Sequence, residues 1–149
     1  MNKTPSEASA VVGIIDPDAY AAAAYTTEYI ALKDFQRFQA IVQVGDFVST
    51  GTLDAKLIAY TSSGGAGATD IPGSSITQMT QAGTDSNKQA IINLNTDALA
   101  GTPKFTHFKL SVTLGTAGAD MGAVVLGFGP KYGPASDSDL TTVDEIISV

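Results

Sequence analysis

Apolar and polar residues alternate in short segments along most of the chain. The clearest segment is "KFTHFKLSVTLG", in which Phe108, Leu110, Val112 and Leu114 share one face of a strand and polar residues share the other. "FQAIVQVG" and "LDAKLIAY" repeat the pattern. One apolar face and one polar face are typical of antiparallel strands that cover a core from one side.

Segments of this kind recur between clusters of Gly, Pro, Asp and Ser. They comprise residues 11–15, 25–32, 38–44, 53–60, 75–79, 89–94, 105–114 and 123–128. About eight short strands at this spacing predict an all-β fold, an antiparallel β-sandwich or jelly-roll-like barrel. The last residues, from Val143, could add a short strand or a turn of helix.

Two stretches do not fit the strand pattern. Residues 21–24 are four alanines, which favour a helix but are too few to hold one alone, so a helical turn and an extended segment are both open. Residues 61–75 are rich in Gly and Ser and predict a long loop. A loop of that length in a small β domain is either functional or disordered.

The chain of 149 residues is long enough for one domain with a sizeable core. Residues 1–10 are polar, and we expect a flexible N-terminal arm in which only Met1 could enter a core. Residues 11–149 are then a single β domain with an extended C-terminal tail. The apolar run "VVGII" is too short for a signal peptide or a membrane span, so we expect synthesis and folding in a cytoplasm.

The net charge of −7 restricts the classes of partner. Binding to nucleic acid needs clustered Lys and Arg, whereas the eight basic residues are scattered singly along the sequence. Anionic membrane surfaces are disfavoured for the same reason. We therefore expect neither a nucleic acid nor a membrane as partner.

No motif points to catalysis or to a cofactor. The one histidine, His107, lies on the polar face of its strand, where it is expected to be exposed or to face a partner. One His without Cys cannot form a His/Cys metal cluster, and no serine lies in a GxSxG elbow. "SGGAGATD" lacks the Gly-Lys-Ser/Thr of a phosphate-binding loop. We expect no enzyme activity, no cofactor and no metal.

The segment "KYGPASDSDL" has an unusual pattern close to the C-terminus. The pairs Gly129-Pro130 and Gly133-Pro134 bracket its start, and Asp137 and Asp139 follow. These two acids can cap the backbone of a following element, contact a partner, or contribute to a calcium site, although the EF-hand spacing is absent. The residues alone leave the three interpretations open.

Two segments resemble a group of small proteins encoded by tailed bacteriophages and prophages. They are "ATDIPGSSITQMTQAGTDSNKQAIINLNTDAL" and "FGPKYGPASDSDLTTVDEI", and the tail segment is the more specific. The similarity runs from about Gln43 to the C-terminus. Residues 1–25 lie outside it.

The resemblance implies a structural protein of the virion head, and a capsid decoration (cement) protein fits best. Such proteins lie on the outer capsid surface, commonly as homotrimers, and bridge neighbouring major capsid protein subunits. The expected partners are therefore the major capsid protein and further copies of this chain. The alternatives are a phage tail or head–tail joint protein, and a carbohydrate-binding or adhesive β-sandwich that uses the loop at residues 61–75.

If this role is correct, we expect both ends of the chain to contact the capsid or sister subunits. The predicted contact residues are Met1, Asn2, Lys3, Thr4, Pro5, Tyr132, Gly133, Pro134, Asp137, Asp139, Leu140 and Val143. The two Gly-Pro pairs would act as rigid turns that direct the tail.

Overall fold

The computed structural model describes residues 3–148 of the chain. Within them lie ten strands, one α-helical turn, α1 (Pro5–Ala8), and two 3₁₀ helices, η1 (Thr96–Leu99) and η2 (Ala135–Ser138). The strands are β1 (Ser9–Tyr20), β2 (Ala24–Thr26), β3 (Ile30–Ala31), β4 (Phe35–Phe47), β5 (Thr52–Tyr60), β6 (Thr69–Asp70), β7 (Met79–Thr80), β8 (Gln89–Asn95), β9 (His107–Gly115) and β10 (Ala119–Pro130). No helix in residues 3–148 is long and apolar enough to cross a lipid bilayer.

The strands form two antiparallel sheets that pack face to face. Sheet A has the strand order β1-β10-β4-β8, and sheet B has the order β2-β9-β5-β6, with β3 also on β9 and β7 also on β5. The rings of Phe38 in sheet A and Phe108 in sheet B meet edge to face, with centroids 4.8 Å apart. This architecture confirms the predicted all-β, antiparallel sandwich.

The alternation of the sequence places the core where it was predicted. Phe108, Leu110, Val112 and Leu114 of β9 are buried, and so are the apolar residues of β5 that face the same way. In sheet A, every second residue is buried from Phe38 to Val44 of β4 and from Ala119 to Gly127 of β10. A strand whose side chains alternate in this way can bury one face only if it stays in register, so the pattern also fixes the pairing.

Short edge strands complete sheet B, and they differ from the predicted segments. The segment predicted at 25–32 is divided into β2 and β3, because the chain leaves β9 between them. Thr27 fills the break: its N–H donates to Leu110 O (3.1 Å), and its Oγ1 accepts from Leu110 N (3.1 Å). The alanine run bends and then enters β2 at Ala24, so it takes the extended alternative rather than the helical one.

The loop at residues 61–75 folds back along the other edge of sheet B. Its β6 pairs with β5, and Ile71 N–H donates to Leu57 O (3.0 Å). The buried Ser74 Oγ accepts from Leu57 N (3.1 Å), so a side chain replaces a strand partner here. The segment predicted at 75–79 is for that reason mostly irregular, and only Met79 of it belongs to a strand, β7.

The start of the chain joins the fold earlier than expected. Residues 5–8 form α1, which packs against η2, and Ser9 and Ala10 already belong to β1. Ala10 is 2% exposed and lies in the core. The sequence pattern predicted that, of residues 1–10, only Met1 could enter a core. Alanine gives no strong apolar signal, which explains why the pattern missed it.

Candidate assembly interface

The C-terminal segment first folds back onto β1. The chain turns at Gly129 (φ 64°) and Gly133 (φ 60°), left-handed conformations that favour glycine, and η2 then buries Ala135 completely. Asp139 Oδ1 accepts a hydrogen bond from Val11 N (2.6 Å), and Leu140 N–H donates to Val11 O (2.9 Å). We call Asp139 and Leu140 the latch, because they bond to the free edge of sheet A at Val11 of β1.

The latch contains two of the predicted contact residues, Asp139 and Leu140. Asp139 accepts from the backbone of a strand that lies 128 residues away in sequence, rather than capping a following element. Asp137 is exposed, and Tyr132 is 82% exposed. Whether these residues contact a partner stays a prediction.

The first helical turn lies against the C-terminal segment. Lys3 and Thr4 precede α1, which begins at Pro5 and packs against η2. Thr4 N–H donates to Glu7 Oε2 (2.7 Å), and this bond lowers the pKa of Glu7. Met1 and Asn2 lie outside the described residues. The remaining predicted contacts comprise exposed Gly133 and Pro134 and half-buried Leu140 and Val143.

The opposite edge of sheet A is open. β8 pairs with β4 on one side, and no strand of residues 3–148 pairs with its other side. Its sequence, "QAIINLN", has no charged residue and no proline, the features that commonly protect an edge strand from pairing with another chain. Ile91 in its middle is 57% exposed.

An apolar row crosses the outward face of sheet A. The register aligns Ile14 with Val124, Val124 with Ile41, and Ile41 with Ile91, one residue from each of the four strands. The first three are partly exposed. Beside this row, Gln39, Asn93 and Phe128 help to line a shallow depression of about 490 Å³. We call the row and the β8 edge together the sheet A surface.

The outward face of sheet B is polar by comparison. Exposed Asp54 lies opposite Thr113, and Lys56 lies opposite Ser111. Lys56 Nζ also pairs with Asp70 Oδ2 (2.6 Å). The two faces of the sandwich therefore differ, and only the sheet A face has the apolar character of a contact surface.

A groove opens at one end of the sandwich, where the sheets meet. Its volume is about 580 Å³, and it is lined by apolar residues, by three lysines and by His107. His107 was expected to be exposed or to face a partner; it is half-buried, and its Nδ1 lies 2.8 Å from Thr106 Oγ1. The sequence scatters these basic residues, and only the fold brings them together.

The remaining polar groups have structural roles. No cluster of three His, Asp or Glu residues that could hold a metal ion is found in residues 3–148. Partial desolvation raises the pKa of Tyr20 and Tyr60. Hydrogen bonds from Thr80 N–H and Lys88 lower the pKa of Asp85, which holds the loop before β8.

Sequence reasoning missed the sheet A surface, although a signal was present. The segment "AVVLGF" in β10 is apolar at consecutive positions, so the strand presents apolar side chains to both faces. β8 gives a second signal, because it lacks the charges of an exposed edge strand.

No protein-family model matches this sequence, and no curated protein matches it significantly. Among solved structures, the VP2 subviral particle of infectious bursal disease virus is similar over 86% of this chain, with 12% identity and a TM-score of 0.51. This chain spans about a third (34%) of that VP2 chain.

Two plant virus structures are also similar, at lower TM-scores. The match to broad bean stain virus covers 90% of this chain and 96% of the virus chain, with 12% identity and a TM-score of 0.48. The match to empty particles of cowpea mosaic virus covers 83% of this chain and 84% of the virus chain, with 13% identity and a TM-score of 0.44. At this level of identity the likeness concerns the fold. On the strength of the VP2 match, this chain has a two-sheet β-sandwich fold that also occurs in a viral capsid protein.

Proposed function

We propose that this protein is a structural component of a tailed-bacteriophage virion that decorates the capsid exterior and bridges major capsid protein subunits. The open β8 edge carries this proposal. An uncharged strand edge of seven residues beside an apolar row is suited to add a strand or an apolar surface from a neighbour. The fold shared with a capsid protein and the resemblance to phage proteins support the same role.

The proposed mode of binding does not depend on charge. Backbone hydrogen bonds at β8 and burial of the apolar row would hold the protein to the shell, although its net charge is −7. Many copies that each bridge two capsid subunits would resist internal pressure by avidity. The polar outward face of sheet B, with Asp54 and Lys56, would then face solvent on the particle.

Binding to capsids that lack the protein tests this role. The purified chain is added to such particles, and its copy number is measured by quantitative peptide mass spectrometry after separation from free protein. A decoration protein approaches the abundance of the major capsid protein. No binding to these particles would contradict the proposal, and binding at the copy number of a single ring would indicate a tail or joint protein instead.

A matched pair of substitutions then tests the surface. Ile91→Lys places a charge on the β8 edge, and Val48→Lys places the same charge on a side chain of similar exposure, 59% against 57%, outside the sheet A surface. We expect Ile91→Lys to lower occupancy on the particle about tenfold or more and Val48→Lys to leave it unchanged. Equal binding of the two variants would remove β8 from the interface.

A further inference from the structure

We propose that the groove at the end of the sandwich binds residues 144–147 from the tail of a second copy of this chain. This inference deepens the proposed role, because it rests on self-association of the virion protein and names the contact that produces it. It predicts a head-to-tail oligomer of the isolated protein.

The groove is lined by both positively charged and apolar residues. Lys33, Lys104 and Lys131 line it together with Leu99 and Phe105. Three of the eight basic residues of the chain thus meet in one place on a protein of net charge −7. The two ion pairs within residues 3–148 involve Lys56 and Lys88, so neither includes the three groove lysines.

The groove is also of suitable size for a short peptide. Its volume of about 580 Å³ lies inside the range of roughly 300–1,000 Å³ that is usual for ligand sites. The three lysines that line it favour carboxylates, and its apolar residues favour aliphatic side chains. A suitable occupant therefore carries acidic and aliphatic residues side by side.

The tail has this composition and is largely exposed in its own copy. Asp144 and Glu145 are exposed and directly precede Ile146 and Ile147, which are 49% and 76% exposed. The last backbone hydrogen bond of the tail within the described residues is the one from Val143 N to Leu140 O. Exposed aliphatic side chains on an unpaired backbone are suited to a partner surface.

In this structure the tail does not lie in the groove of its own copy. The latch holds Leu140 at β1, and the groove is lined by residues around η1, by residues 31–33 before β4 and by Lys131 after β10. None of residues 141–148 lines the groove in its own copy. These eight residues can span roughly 26 Å when extended, enough to reach an adjacent molecule.

A contact between two different surfaces of the same chain is heterologous. Repetition of such a contact closes into a ring when the rotation between copies allows it. The homotrimer expected for a decoration protein is one such ring.

Charge reversal on each side of the contact tests the inference on the full chain without capsids. One variant carries Lys104→Glu and Lys131→Glu, and a second carries Asp144→Lys and Glu145→Lys. Lys3→Glu with Arg37→Glu is the matched control for the first variant, since it lowers the net charge by the same amount at two exposed residues outside the groove and outside both ion pairs. Analytical ultracentrifugation over a range of concentrations gives the association constants, and thermal unfolding verifies folding.

We expect the natural chain and the control to associate, and each charge-reversed variant to associate about tenfold more weakly. Raising the salt concentration from 0.15 M to 1 M should also weaken association of the natural chain, because the screening length falls from about 8 to 3 Å. A chain that carries all four substitutions should associate again, since each groove then meets a tail of opposite charge.

Three results would overturn the inference. They are a monomeric natural chain, association that neither variant changes, and a four-substitution chain that stays dissociated after both variants have lost association, which would show that the groove and the tail do not contact each other. The assay contains no capsid, so it can fail while the protein still binds particles, and it can succeed when particle binding fails.

Discussion

Sheet A ends in β1 on one side and in β8 on the other, and the two edges differ in what lies beside them. At β1, Asp139 and Leu140 occupy both the N–H and the C=O of Val11. At β8, seven uncharged residues have a partner on one side only within residues 3–148. The chain thus covers one edge near Val11 with its own C-terminal segment, whereas no segment of residues 3–148 adds a strand to the other edge.

The C-terminal segment shows the same division on a smaller scale. Residues 135–140 pack on β1 and bury Ala135, whereas Asp144, Glu145 and the two isoleucines after them are exposed. The motif that resembles phage proteins therefore contains a part that holds the fold and a part that is free for a partner.

The largest effect is expected when the β1 edge is opened completely. Truncation after Gly133 removes the latch and η2, and it should lower the free energy of unfolding by roughly 2–4.5 kcal/mol from one charged and one neutral hydrogen bond alone. Truncation after Leu140 keeps both hydrogen bonds and should change the free energy by less than about 0.5 kcal/mol. Urea denaturation of the two truncated chains measures the difference, and equal losses would show that the latch does not hold the fold.

A smaller effect is expected when only the carboxylate of the latch is removed. Asp139→Ala leaves the Val11 N–H without its partner and should lower the free energy of unfolding by about 1.5–3 kcal/mol. Asp137→Ala, two residues earlier and exposed, should stay within about 0.5 kcal/mol of the natural chain. Urea denaturation of both variants is the measurement. If Asp137→Ala proved as costly as Asp139→Ala, the long-range hydrogen bond would not be the cause.

The strands with regular alternation were predictable from the sequence. The polar side chains that bond to the backbone of those strands were not. The buried positions of β9 match its apolar positions in the sequence almost completely, because a strand that buries one face has a buried residue at every second position. Thr27, Ser74 and Asp139 each accept a hydrogen bond from the backbone N–H of a distant strand. In the sequence, such a polar residue cannot be distinguished from an ordinary loop residue. The basic groove was hidden for a related reason, since its lysines come from three separate segments.

Ser74 tests whether sheet B closes an edge by the same means. Its Oγ accepts from Leu57 N and donates to Ile71 O (2.7 Å), and the side chain is buried. Ser74→Ala leaves the Leu57 N–H unpartnered and should lower the free energy of unfolding by about 1–2 kcal/mol. Ser75→Ala, its exposed neighbour, is the control and should be close to neutral. Thermal unfolding of the two variants measures the difference. If Ser74→Ala proved neutral, a side chain that replaces a strand partner would stabilise sheet A but not sheet B.

The smallest effect concerns the loop that leads into the open edge. Asp85 accepts from Thr80 N–H (2.9 Å) and pairs with Lys88 (2.9 Å), and these contacts hold its pKa below the usual range of an aspartate. A carboxyl with a lowered pKa in the folded state adds stability that is complete above its unfolded pKa, about 3.9, and is lost as the pH falls through the folded value. The natural chain should therefore be more stable than Asp85→Asn at pH 6, and the difference should shrink below about pH 4. Urea midpoints of both proteins across this range measure it, and a difference that stayed constant with pH would mean that ionisation of Asp85 does not support the loop before β8.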